Sequence, residues 1–188
     1  MVAAEHQKAP TMPAALQDLP ILIFPALVIL AALSDITSFT IPNWISATLA
    51  LAFFAAAPAI GASWSLMGLH VAVGAAGLVI GMGMFAMGWI GGGDAKLFAA
   101  AALWLGWPAA TTFLMATTLA GGGLAVLLLM LRTQLVRAHT PTLGGWVDRL
   151  TTPGAPAPYG VAIACGALAA FPASGLMQLS RLALPLMH

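Results

Sequence analysis

From Leu19 almost to the end, apolar stretches follow one another with only short polar interruptions. About 20 apolar residues in a row cross a bilayer as a helix. In hydrocarbon every backbone N–H and C=O must find its partner within the chain, and a helix meets that demand segment by segment. The sequence therefore predicts an all-α fold, a polytopic membrane helical bundle. Breaks at Pro, Gly and charged residues divide it into apolar segments near 19–38, 42–60, 65–89, 95–107, 110–131 and 159–180, about six transmembrane helices. The region 94–131 is too long for one span and slightly short for two. Trp107 and Pro108 are its only turn signal, and a five-span count is the alternative.

Composition removes other classes. Charged residues make up 6% of the chain, against roughly 25% in a soluble domain, so no water-facing surface can be built. The six Lys and Arg are scattered and the net charge is +1, which leaves no basic patch for nucleic acid. Cys165 is the only cysteine, so neither a disulfide framework nor a Cys-based zinc site is expected within one chain. His6, His70, His139 and His188 share no ligand spacing with the acidic residues, and neither a metal nor another cofactor is expected. Membrane proteolysis by a His-Glu-x-x-His helix or a Gly-x-Ser-x-Gly elbow is also unsupported, since both motifs are missing. Residues 1–18 carry Glu5 and Asp18 against Lys8, the opposite of the positive start of a secretory signal. They read as an exposed N-terminal tail ahead of a single transmembrane domain, 19–188, with a polar loop near 132–158.

Positive charge near span ends marks the cytoplasmic side. With six spans, Lys96, Arg132, Arg137 and Arg149 fall on one side, and Lys8 and Arg181 on the other. The lipid bilayer is thus the first partner, and the cytoplasmic face carries both Asp35 and Asp94. Beyond Leu19 the chain holds only three acidic residues, Asp35, Asp94 and Asp148. Ionisable groups at membrane depth are costly and mark functional sites by default. Taken singly, Asp35 also fits a polar helix end beside Ser34 and Thr37, and Asp94 fits a helix cap. Taken together, two carboxylates held close share a proton and act as general acid and general base. One draws a proton from water, the water attacks an amide carbonyl, and the other supports the oxyanion and the leaving amine. Gly91, Gly92 and Gly93 suit a turn that another backbone can approach closely.

These residues resemble a family. The segment Gly91-Gly92-Gly93-Asp94-Ala95-Lys96 is similar to the Gly-x-Gly-Asp signature of the bacterial type IV prepilin peptidases, with Lys96 where that family often has lysine. Asp35 with the following Ile41-Pro42-Asn43 turn resembles the family's first catalytic aspartate and its Ile-Pro-Asn segment. Pro158-Tyr159-Gly160 resembles its Pro-Tyr-Gly. The resemblance implies an aspartic endopeptidase of the bacterial inner membrane, with Asp35 and Asp94 catalytic and Pro42, Asn43, Gly91, Gly92, Gly93, Lys96, Pro158, Tyr159 and Gly160 supporting. Its implied partner is a prepilin or pseudopilin, cut after a glycine and before a hydrophobic N-terminal helix. The bifunctional branch carries a cysteine-rich cytoplasmic insert between its first spans and also methylates the new terminus. This chain has room there only for a short turn, so it is closer to the insert-free enzymes of tight-adherence (Flp) pili, and methyltransferase activity is not expected.

Other features read as structure. Gly77 and Gly81, extended by Gly74 and Gly88, form a thin helix face for close packing. Gly121, Gly122 and Gly123 allow either close packing or a local break. His70 falls on the side away from the aspartates and reads as structural. Lys96 reads as a snorkelling anchor that could also bias the aspartates. Asp148 reads as a local partner of Arg149 in a short surface-lying amphipathic element. The rival function is a proton- or cation-coupled transporter, whose buried acids would sit near the midplane between inverted repeats. Homo-oligomerisation stays open.

Overall fold

A computed structural model describes residues 19–133 and 144–183. The tail over 1–18, with His6 and Lys8, lies outside the described residues, as do Arg137, His139 and His188. The elements are α1 (Leu19–Ser38), α2 (Asn43–Ala59), α3 (Trp64–Ala86), α4 (Gly92–Leu105), α5 (Ala109–Leu131), α6 (Gly145–Thr151), α7 (Tyr159–Ala170), a 3₁₀ turn (Phe171–Ala173) and α8 (Gly175–Ala183). The described residues contain no strand. Each of the six apolar segments is helical, and the break at Trp107 and Pro108 separates α4 from α5.

The segments differ in length more than hydropathy suggests. Three helices, α1, α3 and α5, are long and apolar enough to cross a membrane. A fourth span is available if α7, the 3₁₀ turn and α8, bent by 43°, are taken as one. The other two are shorter. Helix α2 has 17 residues and α4 has 14, which at 1.5 Å per residue makes α4 only ~21 Å long, against a hydrocarbon core of ~30 Å.

A short α4 is tolerated because protein surrounds it. It packs against α3 and α2, and also against α7, α5, α1 and α8. Ala95, Leu97, Ala101, Trp104 and Leu105 are completely buried along its length. Its alanines admit close neighbours, and α3 answers with glycines. A Cβ on Gly74 would lie 2.8 Å from Leu103 Cβ, one on Gly77 2.9 Å from Ala102 Cβ, and one on Gly81 3.0 Å from the Ala95 carbonyl. The numbers descend on α4 as they ascend on α3, so the two helices run antiparallel in close contact, as a small-residue face permits. Gly88 does not extend that face. It lies past the end of α3 at φ 74° with open space around it, where a left-handed turn residue is needed.

Helix α5 runs unbroken through Gly121, Gly122 and Gly123, so the local break is not taken. A Cβ on Gly121 would meet Ala162 of α7 at 3.7 Å, whereas Gly122 and Gly123 face open space. Apolar side chains such as Leu119 and Leu129 are largely exposed on this helix, as lipid-facing residues are. The core is tied by the Trp104 indole N–H, which donates to the Leu49 carbonyl at 2.7 Å, and by the stacking of Phe24 on Phe171 with ring centroids 4.5 Å apart.

His70 is wholly buried near the C-terminal end of α4. Its Nδ1 is 2.8 Å from the Leu103 carbonyl, and its ring stacks on Phe53. A Cβ on Gly106 would lie 2.6 Å from that ring, so the glycine that ends α4 also makes room for the imidazole. Asp94 is at the other end of the same helix.

Candidate active site

Asp35 sits in the last turn of α1, which the surrounding hydroxyls wind into the following turn. Ser34 Oγ donates to the Thr40 carbonyl at 2.9 Å, Thr37 Oγ1 to the Leu33 carbonyl at 2.6 Å, and Ser38 Oγ to the Ser34 carbonyl at 2.6 Å. Phe39 turns the chain at φ 57°, an uncommon angle for a residue with a side chain. Its N–H donates to the Asp35 carbonyl at 2.8 Å. The Asp35 carboxylate takes no part in this local bonding. It is buried, and its Oδ2 accepts the Gly160 N–H of α7 at 2.7 Å. The polar residues beside it therefore account for the helix end, and Asp35 does something else.

Asp94 is the third residue of α4. Its Oδ2 accepts the Gly91 N–H at 3.1 Å, which satisfies one of the orphan donors at a helix start. Gly91 has no side chain to return the bond, so this is half of a capping box. The capping reading covers one oxygen only, because Oδ1 is buried without a hydrogen-bond partner. The Asp35 carboxylate is held by Gly160, and both Gly160 and Gly93, the residue before Asp94, pack on Ile41. Two buried acids, 59 residues apart in sequence, thus sit at helix ends gathered around one side chain.

The glycines make this convergence possible. A Cβ on Gly160 would lie 2.7 Å from Ile41 Cδ1 and 2.8 Å from Asp35 Oδ2, and one on Gly93 would lie 3.1 Å from both Ile41 Cβ and the Ile41 carbonyl. Ile41 is therefore the wedge that seats the α1–α2 turn against the starts of α4 and α7. Gly91 meets only Asp94 itself, at 3.0 Å, and Gly92 faces the Phe85 ring at 3.4 Å. Pro158 is buried just ahead of Gly160, and Pro42 sets the start of α2. Asn43 and Lys96 are joined: Lys96 Nζ donates to Asn43 Oδ1 at 2.7 Å. The lysine expected as a snorkelling anchor thus clasps α2 to α4.

The residues expected to be catalytic or supporting lie where α1 ends and α2, α4 and α7 begin. Sequence reasoning missed Ile41 as the wedge, although it lies in a segment already marked, and missed the role of the arginines. Arg149 Nη2 donates to the Thr37 carbonyl at 3.1 Å and its guanidinium lies 5.4 Å from the centroid of the Phe39 ring. Arg132 Nε donates to the Leu150 carbonyl at 2.9 Å. These bonds tie α6 to the ends of α1 and α5. Asp148 Oδ2 accepts the Gly144 N–H at 3.0 Å, at the start of α6. An apolar groove of about 440 Å³ opens between α3, α4, α5 and α7, with Ile90, Phe98 and Tyr159 among its walls.

An all-α bundle with apolar spanning helices and acids paired at one end is a multi-pass membrane protein with a polar site set in its helix termini. A family model for the type IV leader peptidase family matches residues 22–126, more than half of the chain. The protein belongs to the type IV leader peptidase family. It is accordingly a peptidase of a membrane environment, and the transporter reading has no support. The match contains Asp35, the Ile41-Pro42-Asn43 turn and the Gly91–Lys96 segment, and stops short of Gly160. No curated protein and no solved structure matches the chain.

Proposed function

We propose that the protein is an aspartic endopeptidase that removes the leader of type IV prepilins or pseudopilins of the Flp kind at the cytoplasmic face of the inner membrane, with Asp35 and Asp94 as its catalytic pair. The observation that carries this reading is the gathering of two buried carboxylates around Ile41, Asp35 bound to the Gly160 N–H and Asp94 directly following Gly93, with both glycines packed on that side chain. Like charges so placed hold one proton between them. The anionic member takes a proton from water, and that water attacks the scissile carbonyl. The protonated member donates to the developing oxyanion, and the proton then passes to the leaving amine. Water supplies the nucleophile, so no covalent enzyme intermediate forms. Asp94 Oδ1, buried without a partner, is the oxygen available to water or to the substrate carbonyl.

The supporting residues set the geometry. Gly91, Gly92 and Gly93 keep side chains away from the approach to Asp94. Lys96 and Asn43 hold α2 to α4, and Pro158, Tyr159 and Gly160 present the N–H that Asp35 accepts. The apolar groove between α3, α4, α5 and α7 suits the apolar helix that follows the cleavage point, and Tyr159 in its wall directly precedes Gly160, the donor to Asp35.

The test is direct. Purified protein in detergent, mixed with an Flp-type prepilin, is expected to release one leader peptide ending in the glycine before the apolar helix, as read by mass spectrometry. Replacing that glycine with leucine in the substrate should slow release at least about tenfold, because the site is walled by backbone. Cleavage elsewhere, or equal turnover of the leucine substrate, would contradict the reading.

Orientation has its own test. With Cys165 replaced, Ser65→Cys lies at the end of the bundle away from the aspartates and Thr152→Cys at their end, both at exposed positions. A membrane-impermeant maleimide added outside intact spheroplasts should label the first and spare the second. The opposite pattern would put the carboxylates on the outer face.

A further inference from the structure

Helix α4 borders a second groove, of about 590 Å³, enclosed with α2 and α3. Lys96 lines it, and at 100° per residue Lys96 projects from the side of α4 roughly opposite Asp94. The groove is therefore separate from the carboxylates. Most of its wall is hydrocarbon, with Ala47, Ala75 and Ala99 leaving the width. It follows α4 from Lys96 to Leu103, about 10 Å of helix.

Its polar groups lie together at the end nearer the aspartates. The Lys96 ammonium is exposed, and its hydrogen bond goes to the neutral amide oxygen of Asn43, so its charge is not compensated there. Ser46 is a turn further along α2, 5% exposed, and its hydroxyl is buried with no hydrogen-bond partner. A buried hydroxyl left unpaired is costly, and an unpaired cation at the mouth of an apolar groove attracts an anion. From mouth to depth the order is cation, lone hydroxyl, hydrocarbon.

A phospholipid carries the complementary order: phosphate, ester carbonyl, acyl chain. We propose that this groove is a phospholipid site, with the phosphate on Lys96, an ester carbonyl accepting from the Ser46 hydroxyl, and an acyl chain along the alanine-lined wall. Charge complementarity selects this occupant over a purely apolar helix, which would leave both polar groups unanswered, and basic pockets between spans are a recurrent place for anionic headgroups. Occupancy would brace the Lys96 to Asn43 clasp and with it the turn that carries Ile41. The site does not depend on the peptidase reading.

Native mass spectrometry of the full chain in detergent, titrated with phosphatidylglycerol or phosphatidylcholine of identical acyl chains, tests this. One tightly held lipid is expected, with the anionic lipid favoured about fivefold. Lys96→Ala should abolish that preference. Ala75→Phe, which fills the groove from an exposed position, should weaken both lipids at least about tenfold, judged on protein with unchanged Tm. Ala47→Phe on the facing wall serves if Ala75→Phe lowers Tm. Asp94→Asn should bind lipid as the unaltered chain does, so failure here and failure of the peptidase reading remain distinct. Equal affinity for the two lipids in the unaltered chain, undiminished binding in the filled groove, or displacement of the lipid by prepilin would overturn the proposal.

Discussion

Asp35→Asn and Asp94→Asn should each leave the protein inserted and folded while lowering the rate of leader removal by about 1000-fold or more, the range in which loss of general acid or base catalysis falls. Asn keeps the size of Asp and one acceptor oxygen. It can still accept the Gly160 N–H at position 35 and the Gly91 N–H at position 94, the two bonds made by the aspartates that tie neighbouring backbone. What is removed is the charge, the second acceptor oxygen and with them the ability to take up and return a proton. Equal Tm with lost activity would therefore assign the loss to chemistry. Asp148→Asn is the matched control: Asp148 binds the Gly144 N–H at the start of α6, a bond Asn can make, and activity should stay within a fewfold of the unaltered protein. Prepilin processing by each purified variant, compared at equal folded protein, reads all three.

Gly160→Ala should be the most damaging substitution outside the acids. The added methyl would lie 2.7 Å from Ile41 Cδ1 and 2.8 Å from Asp35 Oδ2, too close for either to stay. Ile41 is also packed on Gly93, so it cannot retreat without opening the turn against α4. The Asp35 carboxylate must then swing off the Gly160 N–H. A displacement of about 1 Å at reacting groups can cost ~100-fold in rate, and a loss of that size is expected here. Overpacking should also take about 1–3 kcal/mol from stability. The measurement is kcat for prepilin cleavage alongside Tm. Near-normal kcat would mean that the Gly160 N–H does not position Asp35 for catalysis.

Much of this was readable beforehand, for identifiable reasons. Apolar run lengths and the Pro and Gly breaks located every long helix, and Trp107 and Pro108 did separate α4 from α5. Asp35 and Asp94 stood out because acids are so scarce past Leu19. What hydropathy could not show is which apolar helix meets lipid and which meets protein, since both environments are apolar. Helix α4 is the instance: its alanines look like a span, yet it is short and enclosed, while α5 is largely exposed. Nor could spacing reveal that the donor for Asp35 lies 125 residues away. Gly160 belongs to a readable motif, but the bond from its N–H to Asp35 exists only in the folded chain. Lys96 and Asn43 were both noticed, but nothing in their separate segments indicated that they bind each other.

The central claim is that the two carboxylates work as a single unit, and it is tested most directly by adding the Asp35→Asn, Asp94→Asn double variant to the two singles in one rate comparison. If the pair shares a proton, either substitution already removes the function of both, and the double variant should be no slower than the slower single variant by more than a fewfold. Independent contributions would multiply instead, leaving the double variant slower by the product of the two single effects. That multiplicative result, or a single variant that cleaves prepilin at close to the unaltered rate, would contradict the paired-aspartate mechanism.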